Sequence, residues 1–167
     1  EKQIIDAIWR AKPWTPEGIV SWREQKHRVL ETGEASTVTY PYQRLNTITK
    51  GIRESTMVTI CAGSGVGKST FITEIAYHLN RAGHNVGMLM LEEENPKTMR
   101  QICGIHINKN IVQEPKQATD AEVLQAYEDI GQYNNIALFD HFGATNLDTI
   151  IMQIQYMNKA MDCSHIF

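Results

Sequence analysis

No apolar run in this 167-residue chain approaches the length of about 18 that a helical bilayer crossing needs, so a membrane-spanning helix is excluded. Cysteine is scarce. Cys61, Cys103 and Cys163 are unclustered and odd in number, which excludes a disulfide scaffold and points to a reducing compartment. Excess positive charge is also missing: 16 Lys and Arg stand against 19 Asp and Glu, for a formal charge of −3. A protein that coats nucleic acid is usually basic, so any nucleic-acid contact is local or lies outside these residues. Arginine is nearly absent from the second half. After Arg81 there is Arg100 alone, which argues against the arginine-rich lid of a small-molecule kinase. The start, Glu1-Lys2-Gln3, has neither an initiating Met nor a signal peptide, so a piece of a longer, cytoplasmic protein is expected. What is present is ordinary globular composition, 42% hydrophobic and 21% charged, enough for about one domain.

The first 44 residues read as a helical lead-in without a core of their own. Ile4, Ile5, Ala7, Ile8 and Trp9 place an apolar face on a short helix over residues 2–12, which Pro13 stops. So short a helix is marginal alone and needs a partner for its stripe, in its own domain or elsewhere. Thr15-Pro16 reads as a helix start, with a helix from Pro16 to about Leu30. Gly33–Thr37 reads as a loop and Tyr40-Pro41-Tyr42 as extended chain. Trp9, Trp14 and Trp22 are expected to be packing anchors.

From residue 45 onward strands and helices alternate. Met57–Cys61 (MVTIC) predicts a buried strand, and residues 67–82 a helix with Phe71, Ile75 and Leu79 on one face. Residues 85–91 predict a second strand, Pro96 to about Ile107 a helix, and Thr119 to about Ile130 a helix with a capping start. Residues 136–139 predict a third strand, 147–161 a helix, and 164–167 the beginning of a fourth strand. This alternation implies an α/β fold, a parallel sheet flanked by helices.

The most informative stretch is Ala62-Gly63-Ser64-Gly65-Val66-Gly67-Lys68-Ser69, followed by Thr70. It has the Walker A pattern, with Ala62 where glycine is commoner. Glycines at 63, 65 and 67 let backbone N–H groups turn toward phosphate oxygens without a Cβ in the way. The helix that follows points its positive dipole end at the same anion. Lys68 can reach the β- and γ-phosphates of ATP or another NTP, and the Ser69 hydroxyl can ligate Mg²⁺. A ligand-free glycine turn is the competing reading, disfavoured by the predicted strand before the motif and the amphipathic helix after it.

The second predicted strand runs into Glu92-Glu93-Glu94. In a parallel sheet both strand ends emerge at the edge where ligands bind. Glu92, at the strand tip, is the candidate general base for an attacking water. Glu93 and Glu94 are expected simply to favour the next helix N-terminus. Asp140-His141 ends the third strand at the same edge, and reads more simply as a loop aspartate and an exposed histidine. Cys103 and His106 have a C-x-x-H spacing, but no second ligand pair accompanies them and no zinc site is expected.

With GIRESTMVTICAGSGVGKSTF at 51–71 and VGMLMLEEE at 86–94, the sequence resembles the helicase domain of the phage bifunctional primase–helicases. More distantly it is similar to the mitochondrial helicase Twinkle and the bacterial DnaB helicases. The resemblance covers roughly residues 40–167. It implies a RecA-like P-loop ATPase core over 45–167, working as a homo-oligomeric, hexameric ring on single-stranded DNA, with a fused or associated primase. It implies Glu92 as catalytic glutamate and Lys68 and Ser69 as phosphate and Mg²⁺ contacts. By position, helix 2–12 matches the family's linker helix and would dock on a neighbouring subunit. In the family, the strand beginning at 164–167 continues into the acidic Walker B residue, and the DNA loops, arginine finger and γ-phosphate sensor follow. These residues end before all of them, so this stretch alone is expected to be inactive. Competing readings are a RecA-like recombinase or another ATPase of that fold without unwinding, a P-loop kinase, and a non-enzymatic nucleotide-binding module.

Overall fold

The computed structural model describes residues 18, 20–30 and 36–167, and the chain divides into two compact units, residues 1–34 and 35–167. In the first unit the described element is a 3-10 helix, Trp22–Leu30, where the sequence predicts an α-helix. Trp22, Val29 and Leu30 are exposed, so the segment has no buried face to stabilise it, and Trp22 is not the packing anchor expected of it. The helix expected over 2–12, the start at Thr15-Pro16, and Trp9 and Trp14 lie outside the described residues.

The second unit takes in residues 35–44, which the sequence places in the lead-in. Tyr40 is buried among Ile75, Leu79 and Val86, with Val38 and Tyr42 packed alongside. A seven-residue helix, α1 (Gln43–Thr49), follows and has no counterpart in the sequence reading. Its polar sequence QRLNTIT lacks an apolar period. The Asn46 side chain holds it instead, accepting from the Tyr40 N–H and donating to the Tyr40 carbonyl, both at 2.8 Å.

The remaining helices are α2 (Lys68–Arg81), α3 (Asn95–His106), α4 (Asp120–Gly131) and α5 (Leu147–Lys159), each within two residues of its predicted span. Their starts follow local chemistry. Pro96 occupies the first turn of α3, where its missing N–H costs nothing. Thr119 and Glu122 close a reciprocal capping box on α4. The Asn146 side chain accepts the Thr149 N–H at 2.8 Å to start α5.

Strands β1 (Val86–Met88), β2 (Ile136–Leu138) and β3 (His165–Ile166) form a parallel sheet in the order β2-β1-β3. On one face, Met88 packs with Ala76 and Tyr77 of α2, Ile102 and Cys103 of α3, and Ala126 and Ile130 of α4. On the other, Met157 of α5 packs with Ala137 and Cys163. Full burial of an aliphatic side chain such as Ile75 or Leu79 contributes about 1.5–3 kcal/mol. Gly87, in the central strand, makes the α5 contact possible. A Cβ there would meet Met157 Sδ at 2.7 Å and Ile166 Cγ1 at 3.3 Å.

One expectation fails. Met57–Cys61 forms no strand and lies in no sheet, and Met57, Val58 and Ile60 are exposed. Among the described residues no strand pairs with this segment, and no backbone ladder bond reaches it. Burial of a strand is conferred by its neighbours, and composition alone does not supply them.

Polar side chains tie the helices together on the α2–α3–α4 side. Tyr77 Oη lies 2.8 Å from His106 Nδ1, and His106 Nε2 lies 3.6 Å from Asp129 Oδ2. Burial pushes the Tyr77 hydroxyl above its usual range, against the pull of Arg81. One turn further along α2, buried Asn80 donates to the Asn134 carbonyl at 2.7 Å, and Asn134 Nδ2 donates back to the Asn80 carbonyl at 3.3 Å.

Candidate nucleotide site

Helix α2 packs along β1 and joins it through residues 82–85, so its first turn lies at the edge where the parallel strands end. The glycine loop leads into that turn. Gly65 and Gly67 adopt φ of +75° and +94°, the left-handed region that a side chain disfavours, and a Cβ on either would meet nothing within 4 Å. The glycines are therefore required by backbone conformation, and the space above them is open to a ligand. Gly67 is the N-cap of α2 and no side chain caps the turn. The first-turn N–H groups thus lack a side-chain acceptor, which is the condition for holding an anion.

Lys68 Nζ donates to the Gly63 carbonyl at 2.8 Å and to the Ala62 carbonyl at 3.1 Å, folding back over the loop. Ser64 and Val66 are exposed along the loop, Ser69 is half-buried, and Thr70 is exposed. Uncapped amides, an ammonium and a serine hydroxyl make a donor set that fits a Mg²⁺-bound nucleotide triphosphate. These residues would hold the phosphates, with the metal on the Ser69 hydroxyl.

The acidic stretch lies on the same side. Glu92 sits in the turn between β1 and α3, exposed to solvent. The strand stops at Met88, short of the predicted tip, although ladder bonds continue to the Leu89 N–H. Glu93 is the most enclosed of the three. Its Oε1 pairs with Lys97 Nζ at 3.0 Å, and its Oε2 is buried without a hydrogen-bond partner. Glu94 is the N-cap of α3, in keeping with the helix-start role expected for it. Asp140, at the end of β2, accepts from Asn95 Nδ2 at 3.3 Å, joining the second strand end to α3. His141 Nε2 lies 3.2 Å from the Ala144 carbonyl. Cys103 is buried, and His106 is engaged with Tyr77.

A contact invisible in the sequence joins the two halves of this edge. Gln101 Nε2, on α3, donates to Thr70 Oγ1 at 2.9 Å. A cavity of about 560 Å³ lies beside it, with Thr70, Glu74, Glu93, Lys97 and Gln101 in its lining. No local pattern announces Gln101, because its partner lies 31 residues away.

Comparison with known proteins places this geometry in a lineage. Residues 37–167 match the DnaB-like helicase C terminal domain family. The chain is also 31% identical over 175 aligned positions to the "DNA helicase/primase" of Enterobacteria phage T3, an alignment covering 99% of this chain and 31% of that protein. The chain thus spans about a third of the length of this curated relative. With this match over most of its length, the chain belongs to the DnaB-like helicase C-terminal domain family.

Proposed function

We propose that this chain carries the nucleotide-binding part of an NTP-driven replicative DNA helicase, one that forms a ring, moves along single-stranded DNA and separates the duplex. The observation that carries the reading is the glycine loop 63–67, which opens onto an uncapped α2 with Lys68 and Ser69 at its mouth. The family match and the name of the phage relative support the helicase class, and that name supports an associated primase. A hexameric ring and a location in the host cytoplasm belong to the same proposal. Among the described residues no helix is long and apolar enough to cross a membrane.

The residues divide the work. The α2 first-turn amides and Lys68 hold the phosphate oxygens, and Lys68 offsets charge that builds on the transferred phosphoryl group. Glu92 accepts the proton of the attacking water, and its exposed carboxylate is free to approach from solvent. Mg²⁺, when bound at Ser69, neutralises phosphate charge. The test is NTP hydrolysis by the intact protein that contains this chain, wild type against Lys68→Ala. Hydrolysis should be abolished, and full turnover in the variant would remove the assignment.

A further inference from the structure

The N-terminal turn of α2 has no cap of its own, yet it must present Ser69 in a fixed position if that hydroxyl is to meet a metal. What steadies it comes from α3. Gln101 Nε2 donates to Thr70 Oγ1 at 2.9 Å. Thr73 Oγ1, one turn further along, donates to the Ser69 carbonyl at 2.8 Å and lies 3.4 Å from Gln101 Oε1. A hydroxyl has one proton, so the short bond to Ser69 takes it and the longer contact is weak. Gln101 therefore holds the residue after Ser69, while Thr73 holds the Ser69 carbonyl.

We propose that Gln101 is a positioning residue for the metal side of the nucleotide site, acting through the Thr70 hydroxyl on Ser69. The proposal rests on the nucleotide reading above and adds a residue to it. The residue type suits the place. An amide donates to Thr70 without bringing a charge, in a cavity wall that already contains Glu74 and Glu93. A third carboxylate there would oppose the incoming phosphates. Gln101 also joins the P-loop helix to the helix that starts at the acidic turn.

The test is binding of a fluorescent ADP to this chain, with Mg²⁺ and with EDTA, for wild type, Gln101→Met, Thr70→Val, the double variant and Thr70→Ser. Gln101→Met keeps the length of the side chain and loses the bond. It should raise the half-saturating Mg²⁺ concentration by about three- to tenfold, the worth of one neutral hydrogen bond, and leave binding in EDTA unchanged. Thr70→Val should raise the half-saturating Mg²⁺ concentration to a similar degree, the double variant no more than either, and Thr70→Ser should stay near wild type. In the nucleotide-free chain, amide exchange at Phe71 should quicken in Gln101→Met while the Leu79 amide is unaffected. Equal losses in Mg²⁺ and EDTA, additive effects of the two variants, or no change at all would each overturn the positioning role. A separate control, Lys68→Ala, addresses the underlying reading: if it binds nucleotide as wild type does, the nucleotide site itself is wrong, whatever Gln101 does.

Discussion

Lys68 Nζ donates to the Gly63 carbonyl at 2.8 Å, so the ammonium that would hold a phosphate rests on the loop that would cradle it. Nucleotide entry then exchanges one set of acceptors for another and leaves no bare charge behind. These contacts are exposed, so their loss should matter little to the empty chain.

Lys68→Ala should therefore change the thermal stability of the nucleotide-free chain by less than about 1 kcal/mol. Nucleotide affinity should fall far more, by roughly ten- to a hundredfold, since a charge-assisted bond is worth about 1.5–3 kcal/mol. Calorimetry on both variants, with and without ADP, separates the two effects. A large loss of stability in the empty chain would make Lys68 a structural residue.

Glu92→Gln in the intact protein should leave nucleotide binding in place and slow hydrolysis by about 10²–10⁴-fold. Glu94→Gln should do much less, because Glu94 is the N-cap of α3. Glu93→Gln should weaken the pair with Lys97, so its effect should show in stability before turnover. Equal kinetic losses at all three would refute the assignment to Glu92.

How much of this was readable in advance depends on where the determinants lie. The phosphate loop is contiguous, and its glycines, lysine and serine declare themselves by spacing. Helices α2 to α5 declare themselves by apolar period and by caps such as Thr119 and Asn146. Three adjacent glutamates look alike on paper, and only the fold exposes Glu92 while enclosing Glu93. Met57–Cys61 has a core-strand composition and yet is exposed. Helix α1 and Gln101 depend on side-chain contacts with no periodic signature.

Gly87→Ala should destabilise the chain by about 1–3 kcal/mol, because the new methyl would stand 2.7 Å from Met157 Sδ. A urea midpoint equal to wild type would show that α5 has slack to move away.

Acid should act on α4 through Glu122. Its hydrogen bonds with Lys109 and with Thr119 hold its carboxyl down at about 2. A folded-state value below the ordinary carboxylate range contributes stability that is fully present above about pH 4.5 and fades as the pH drops toward 2. The melting temperatures of wild type and Glu122→Gln should differ at pH 7 and converge near pH 2. A constant gap would mean the carboxylate charge is irrelevant.

For assembly, the apolar stripe expected on residues 2–12 motivates Ile5→Asp with Ile8→Asp. If that helix packs on the next subunit, the double variant of the intact protein should shift toward monomer, with burial of each isoleucine worth about 1.5–3 kcal/mol. Unchanged mass by light scattering at matched concentration and nucleotide would sink the exchange.

The two ends of α2 are anchored in different ways. Near its last turn, buried Asn80 and Asn134 form a two-way clasp, each side-chain amide donating to the other's backbone carbonyl. Near its first turn, an exposed Gln101–Thr70 bond, a lysine folded over its own loop and the stacking of Phe71 on Tyr42 hold it. The burial of these bonds predicts a helix softer at the phosphate edge than at the far edge. Opening free energies read residue by residue should climb from Phe71 to Leu79. A nucleotide arriving at the soft end would have its effect there first, flattening that gradient while the clamped end stays as it was.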